Sequence, residues 1–268
     1  MTPVRIRFRT PTTLPVDAAA LVPEQLAGLT GTDLERLPLQ VGNRALPLAE
    51  LAEVSPGDTD RLAIEAAFPA LNHIGRGMRG GRIEIFGDVG AYLGQDMSGG
   101  RIELFGSAGA YAAAGMSGGV LQVSADVGPF LAAARPGERF GMVNGAVLVG
   151  GDAGDRAGDR MRRGVVAVAG RLGDFAASRM IGGTLLAWGG CGADPGFAMR
   201  RGALILDGPA STLLPTFADN GTHALPWLRL LAHELRLLAP GLPALAERVR
   251  RWTGCASVGG KGEILLAA

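Results

Sequence analysis

Met78-Arg-Gly-Gly-Arg-Ile-Glu-Ile-Phe-Gly87 is followed, nineteen residues on, by Met97-Ser-Gly-Gly-Arg-Ile-Glu-Leu-Phe-Gly106. Met116, Met142, Met161, Met180 and Met199 continue the series, with gaps of 19, 19, 26, 19, 19 and 19 residues from Met78 onward. A fixed period of this kind is an internal repeat. Three positions after every one of these methionines stands a glycine: Gly81, Gly100, Gly119, Gly145, Gly164, Gly183 and Gly202. Glycine returns nine positions after six of the seven, Ala125 being the exception, and twelve positions after six of them.

Between the glycines, positions five and seven after each methionine are always apolar, from Ile83/Ile85 to Leu204/Leu206. A short alternation of period two bounded by glycine is a strand with one buried face. A helix fails, because glycine would interrupt every turn at about 1 kcal/mol relative to alanine. The sequence therefore predicts an all-β solenoid: a parallel β-helix of about seven to eight 19-residue coils, stacked at ~4.8 Å per step into a rod roughly 30 to 35 Å long. A right-handed winding is expected, although the period does not set the hand.

The methionines are expected at inward corners, where an unbranched side chain fills irregular space; a soft-metal box lacks any further soft ligand. Fourteen positions after the methionines runs Tyr92, Tyr111, Phe130 and Phe175, an aromatic ladder broken by Arg156 and Asp194. Residues 1–58 are expected to cap the N-terminal end, with a strand over Val4 to Phe8, a short helix over Pro23 to Leu29 and a turn at Val41-Gly42-Asn43-Arg44. Leu62 to Ala66 keep the alternation as an atypical first coil. The glycine-repeat β-helix spans 59–211, and 212–268 is expected to be a helical segment and tail, with helices over Leu225 to Leu238 and Pro243 to Trp252.

Position six, on the outer face of the strands, is Glu84, Glu103 and Gln122 in the first three repeats, then Leu148, Ala167, Leu186 and Ile205. Position four changes likewise, from Arg82 and Arg101 to Val120, Ala146, Val165, Thr184 and Ala203. Arg/Glu pairs are expected at one end, and at the other an apolar stripe that either the chain's own helices or a partner must cover. The 26-residue repeat carries its excess within Leu131 to Gly141, around Arg135-Pro-Gly-Glu-Arg139, and an extra loop on a regular scaffold is a place for a specific contact. Leu148, Leu186, Ile205, Arg135 and Arg139 are the candidate partner contacts.

Among 268 residues, 43 are glycine and 47% apolar, and 26 basic against 25 acidic residues leave a net charge of +1. Such a balance gives no field to attract nucleic acid or an anionic membrane. Cys191 and Cys255 are too few and too far apart for a disulfide framework or a structural zinc site. No stretch reaches the ~18 apolar residues needed to span a bilayer, and the start lacks a signal-peptide core, so a cytoplasmic location is expected. His233-Glu-Leu-Arg-Leu237 lacks the second histidine of a zincin, and Lys261 has no Ser or Thr after it, as a phosphate loop requires. The tract Gly150 to Asp159 looks like a calcium-binding nonapeptide but occurs once, so solvated corner acids are the expectation. No catalytic, cofactor-binding or metal-ligating residue is assigned.

The pattern Met-x-Gly-Gly-x-Ile-x-Ile/Leu-x-Gly resembles the glycine-repeat β-helix domain at the C-terminus of glutamate synthase large subunits and in the C subunit of formylmethanofuran dehydrogenases. Leu37-Pro-Leu-Gln-Val-Gly-Asn-Arg44 with Pro47-Leu48, and Gly260-Lys-Gly-Glu-Ile264, resemble the flanks of the C-subunit family and argue against a detached glutamate-synthase-type domain. The resemblance implies a free-standing, non-catalytic β-helical subunit of a hetero-oligomeric one-carbon enzyme. In the bacterial version the complex moves a formyl group between tetrahydromethanopterin and a methanofuran analogue and releases formate. Its chemistry is then expected in an amidohydrolase-like subunit and a formyltransferase subunit, with a dehydrogenase-like B subunit as a further partner, and the methanofuran-type coenzyme, the tetrahydromethanopterin and the metal are expected in the partner subunits. The archaeal alternative is a tungsten or molybdenum formylmethanofuran dehydrogenase. One lysine against twenty-five arginines points to a GC-rich bacterial genome and favours the formyltransferase/hydrolase version. A hexapeptide-type acyltransferase would need a six-residue period, and a carbohydrate-active β-helix would need carboxylates on the outer face.

Overall fold

Val4, Ile6 and Phe8 alternate with Arg5 and Arg7, and the segment forms strand β1 (Pro3–Phe8) with its apolar side buried and both arginines exposed. The structure is a computed structural model describing residues 2–9, 11–210 and 212–268; the boundary expected at Ser211 lies outside the described residues. Next come β2 (Val16–Asp17), α1 (Pro23–Leu26), α2 (Gly31–Glu35), β3 (Pro38–Val41), β4 (Arg44–Pro47), α3 (Leu48–Leu51) and β5 (Ala52–Ser55). The expected turn closes β3 on β4, with Val41 opposite Arg44. Helix α1 is shorter than its expected span: Ala27 already leaves helical geometry, and Gly28 follows at φ +80. Glu24 ties α1 to the first repeat by accepting the backbone N–H groups of Arg79 at 2.6 Å and Gly80 at 2.7 Å.

Strand β1 lies antiparallel to β5 and parallel to β6 (Asp58–Ala67), so the N-terminal segment continues the main sheet by two strands. After β7 (Leu71–Asn72), which pairs with β2, each methionine repeat supplies one strand. These are β8 (Arg82–Gly87), β9 (Arg101–Phe105), β10 (Val120–Val123), β11 (Ala146–Val149), β12 (Val165–Val168), β13 (Thr184–Ala187) and β14 (Ala203–Leu206). Every neighbouring pair is parallel, and the register sets Ile83, Ile102, Leu121, Val147, Val166, Leu185 and Leu204 in one row. All seven are 0% exposed. A slip of one residue would turn the whole row to the outer face, so burial fixes the register. A second parallel row of bridges runs through Val89, Ala108, Val127, Ala153, Leu172 and Cys191. The 26-residue repeat keeps both rows in step, and its excess is extruded between Ala134, which donates to Asp159 O, and Gly141, which donates to Arg160 O.

The Met-x-x-Gly spacing follows from packing between repeats. Met78 to Met199 are all fully buried. A Cβ on Gly100 would stand 2.7 Å from Met78 Cε, and one on Gly119 would stand 2.6 Å from Met97 Cε. Alanine would regain about 0.5–1 kcal/mol of chain entropy but overpack by about 1–3 kcal/mol, and φ at Gly100 is +81 besides, so glycine prevails.

Past the repeats lie β15 (Ala218–His223), α4 (Pro226–Leu238), β16 (Val249–Gly254) and β17 (Gly262–Ala267). Helix α4 matches the first expected C-terminal helix closely. The helix expected over Pro243 to Trp252 does not form: residues 243–248 are irregular, and Val249 starts a strand. Strand β16 satisfies the edge of β17 over six antiparallel register pairs, which a helix there would leave open. Strand β17 is parallel to β14, with Ile264 beside Leu204, so the tail rejoins the sheet as a further strand. Among the described residues the chain is mostly β, with a 13-stranded sheet in the order β15-β16-β17-β14-β13-β12-β11-β10-β9-β8-β6-β1-β5 and a second sheet of four.

Candidate functional surface

The outer face of the sheet divides as its side chains require. At the N-terminal end Arg82 pairs with Glu84 at 2.9 Å and also with Glu103, while Arg101 reaches Glu103 at 2.6 Å and donates to Gln122 at 2.8 Å. At the other end Leu148, Ala167, Leu186 and Ile205 are at most 4% exposed. They form one apolar cluster with Leu228 and Leu235 of α4, Val249 and Leu265. Leu228 and Leu235, seven residues apart, share one face of α4, and the Trp188 indole N–H fastens the following segment by donating to Ala244 O at 3.0 Å. Leu148, Leu186 and Ile205, expected as partner contacts, are therefore covered by the chain's own C-terminal segment. Each buried leucine there gains about 1.5–3 kcal/mol, which an uncovered stripe would forgo.

The extra loop stands over the ladder at position fourteen. Stacked rings run from His73 to Tyr92 (4.9 Å between centroids), Tyr111 (5.2 Å) and Phe130 (4.7 Å). His73 lies one period before Tyr92, and that spacing was the unused signal for it. The break at Arg156 is filled chemically, since its guanidinium lies 4.7 Å from the Phe175 ring centroid. These corner residues have left-handed backbones, from φ +65 at Tyr92 to φ +57 at Phe175. Stacking worth about 0.5–1.5 kcal/mol per pair offsets much of the ~1–2 kcal/mol that such a conformation costs.

Beside the ladder His73 Nδ1 lies 3.0 Å from Gln95 Oε1, and Gln95 Nε2 donates to Asp96 at 2.9 Å. Arg135 grips Asp96 with two hydrogen bonds of 3.0 and 3.1 Å and reaches Glu138 at 3.1 Å, anchoring the loop. Arg139 is exposed, its guanidinium 5.0 Å from the Phe140 centroid. Asp159, 2% exposed, accepts from Ser178 Oγ at 2.8 Å and from Arg179 Nε and Nη2 at 2.8 and 2.6 Å. That hydrogen bond raises the Arg179 guanidinium above its ordinary value. Tyr111 is pushed up by burial, then by Tyr92 and Asp159.

The acids of the Gly150 to Asp159 tract act as corner staples. Asp152 accepts the N–H of Arg171 at 2.7 Å, and Asp155 accepts that of Asp174 at 2.8 Å, each one repeat on. Cys255 Sγ lies 3.0 Å from Thr216 Oγ1 and 2.9 Å from Ser257 Oγ. Burial opposes its ionisation, but hydrogen bonds with Ser257 and Thr216 outweigh burial and hold the thiol below its usual value. Among the described residues there is no group of three or more His, Cys, Asp or Glu that could hold a metal ion, and no helix long and apolar enough to cross a membrane.

A long, mostly parallel sheet built from Met-x-x-Gly repeats, closed by its own C-terminal segment and carrying one arginine-bearing loop, defines a glycine-repeat β protein. No family model matches the chain. It is 42% identical over 254 residues to the C subunit of the formyltransferase/hydrolase complex Fhc of Methylorubrum extorquens, covering 94% of this chain and 95% of that one. It also superposes with a TM-score of 0.92, at 37% identity, on a chain of the crystal structure of the formyltransferase/hydrolase complex FhcABCD of the same organism in complex with methylofuran, covering 98% of this chain and 99% of that chain. The chain belongs to the C-subunit family of the formyltransferase/hydrolase complex.

Proposed function

We propose that this chain is a non-catalytic structural subunit of a formyltransferase/hydrolase complex that moves formyl between tetrahydromethanopterin and a methanofuran analogue and hydrolyses the formyl-methanofuran to formate. The observation that carries the reading is the match along nearly the full length of both chains to the Fhc C subunit. The roles already filled by the chain's polar groups support it: Asp152 and Asp155 hold neighbouring backbone, Asp159 holds Arg179, and His223 Nε2 meets Asn220 O at 2.8 Å. The amidohydrolase-like subunit, the dehydrogenase-like B subunit and the formyltransferase subunit are its partners. They hold the coenzymes and the metal, and Arg135 and Arg139 on the extra loop are contacts toward them.

The architecture behind this role is a right-handed parallel β-helix over residues 59–211, capped by 1–58 and flanked by 212–268. Two parallel ladders in constant register support it, together with the strong preference of parallel crossovers for the right hand.

Purification of the tagged protein from its own host, followed by native mass spectrometry and metal analysis, tests the assignment. A stable hetero-oligomer containing zinc but no tungsten or molybdenum is expected. Tungsten or molybdenum in the assembly would move the chain to a dehydrogenase, and a lone monomer would overturn the assembly reading.

A further inference from the structure

Arg139, Arg160, Arg162, Arg179 and Arg200 line one concave groove of about 520 Å³, together with Phe140. The gathering follows from the repeat. Arg160 and Arg179 each precede a methionine and Arg162 and Arg200 each follow one, so the stacked corners bring all four to one side, and the loop adds Arg139-Phe140. Asp159 neutralises Arg179. Among the described residues no acid forms an ion pair with Arg139, Arg160, Arg162 or Arg200, in a chain whose net charge is +1.

Several of these guanidiniums are already oriented. Arg139 and Arg162 lie over the same Phe140 ring, 5.0 and 4.9 Å from its centroid, cation–π contacts that restrict both side chains. Arg160 is held through Nη1, which donates to Glu138 O at 3.0 Å. Planar guanidiniums match carboxylates with two parallel hydrogen bonds, and less side-chain freedom is lost when they are held beforehand. Ile181, Ala198 and Val258 line the same groove, Val258 being 41% exposed. A lining that mixes arginines with the carbon surface of Phe140, Ile181, Ala198 and Val258 suits a peptide, whose acidic side chains alternate with carbon surface, over a phosphate chain that is anionic throughout. Corner positions recur at ~4.8 Å per repeat and an extended peptide repeats its faces at roughly 7 Å, a difference within the reach of long arginine side chains.

We infer that this groove docks a carboxylate-rich peptide segment of a partner protein. The inference rests on the groove itself and does not depend on which complex the chain joins. The probe is a fluorescein-labelled hexaglutamate peptide, titrated by anisotropy with the purified full chain at 50 mM and 200 mM salt. Saturable binding that weakens with salt is expected, and Arg162→Glu with Arg200→Glu should weaken it at least tenfold with an unchanged melting temperature. Both side chains are exposed, so the fold is not at stake. Charge reversal at the distant, exposed Arg36 and Arg44 should leave binding as it was. No saturable binding by the unaltered chain, or equal loss in the Arg36/Arg44 control, overturns the inference. Tighter binding of an inorganic polyphosphate of equal charge, or of a short single-stranded DNA, overturns the peptide class.

Discussion

Met199 lies directly against Gly262: a Cβ on the glycine would stand 2.8 Å from both Cγ and Sδ of the methionine. Sixty-odd residues separate them, yet the contact repeats the one between Met78 and Gly100, which are 22 residues apart. The contact lies where β17 pairs with β14 and brings the C-terminal tail into the sheet. Gly262→Ala is expected to destabilise the chain by about 1–3 kcal/mol through overpacking. Adding Met199→Ala should recover part of that loss, a coupling that a double-mutant cycle of chemical unfolding would measure. Strict additivity would contradict the contact.

Leu186 and Leu230 make a paired test of what covers the outer stripe. Leu186 is 0% exposed beneath the C-terminal segment, whereas Leu230 on α4 is 70% exposed. Leu186→Ala should cost about 2–5 kcal/mol of unfolding free energy, and Leu230→Ala less than ~0.5 kcal/mol. Similar values for the two would mean that the stripe is not sealed by the chain itself.

Asp159 and Arg179 should behave as a coupled pair. The carboxylate side chain is 3% exposed, but that of the arginine is 41%, so solvent screens the pair and reduces its strength below that of a fully buried one. Asp159→Ala is expected to cost about 1–3 kcal/mol, chiefly by leaving Ser178 and Arg179 without their acceptor. The double change with Arg179→Ala should cost less than the two singles summed.

The antiparallel strands β15 and β16 carry an acid-sensitive pair. The Arg250 guanidinium, aided by the N–H of Gly221, holds the exposed Asp219 carboxyl below its usual value. A carboxyl whose value is lowered on folding adds stability above its unfolded value of about 3.9, and that contribution disappears as pH falls through the folded value. NMR titration of the Asp219 carboxyl should give a midpoint below that of a free aspartate. In Arg250→Ala the midpoint should move upward, and an unmoved midpoint would remove Arg250 as the cause.

Much of the molecule was legible in the order of its residues. The Met-x-x-Gly period and the two-residue alternation announced the row from Ile83 to Leu204, because each repeat meets the same neighbours and local pattern equals tertiary environment. The helix of Leu225 to Leu238 was equally legible from its apolar face. The segment from Pro243 to Trp252 was not: its local sequence suits a helix, and only the open edge of β17 makes part of it a strand.

By itself, then, the sequence determined the parallel rows, the buried methionines and the glycines above them, since these depend on a period that any repeat displays. The tertiary structure alone decided three things: that the stripe of Leu148, Leu186 and Ile205 is sealed by α4 and its neighbours, that Gly262 to Ala267 return beside β14, and that Arg139, Arg160, Arg162 and Arg200 share one groove. The first two rest on contacts across a stretch without any repeat, where loop closure leaves no local trace. The third arises because stacking turns residues 19 or more positions apart into neighbours, and a seven-residue excess has no set direction until the corners around it are folded.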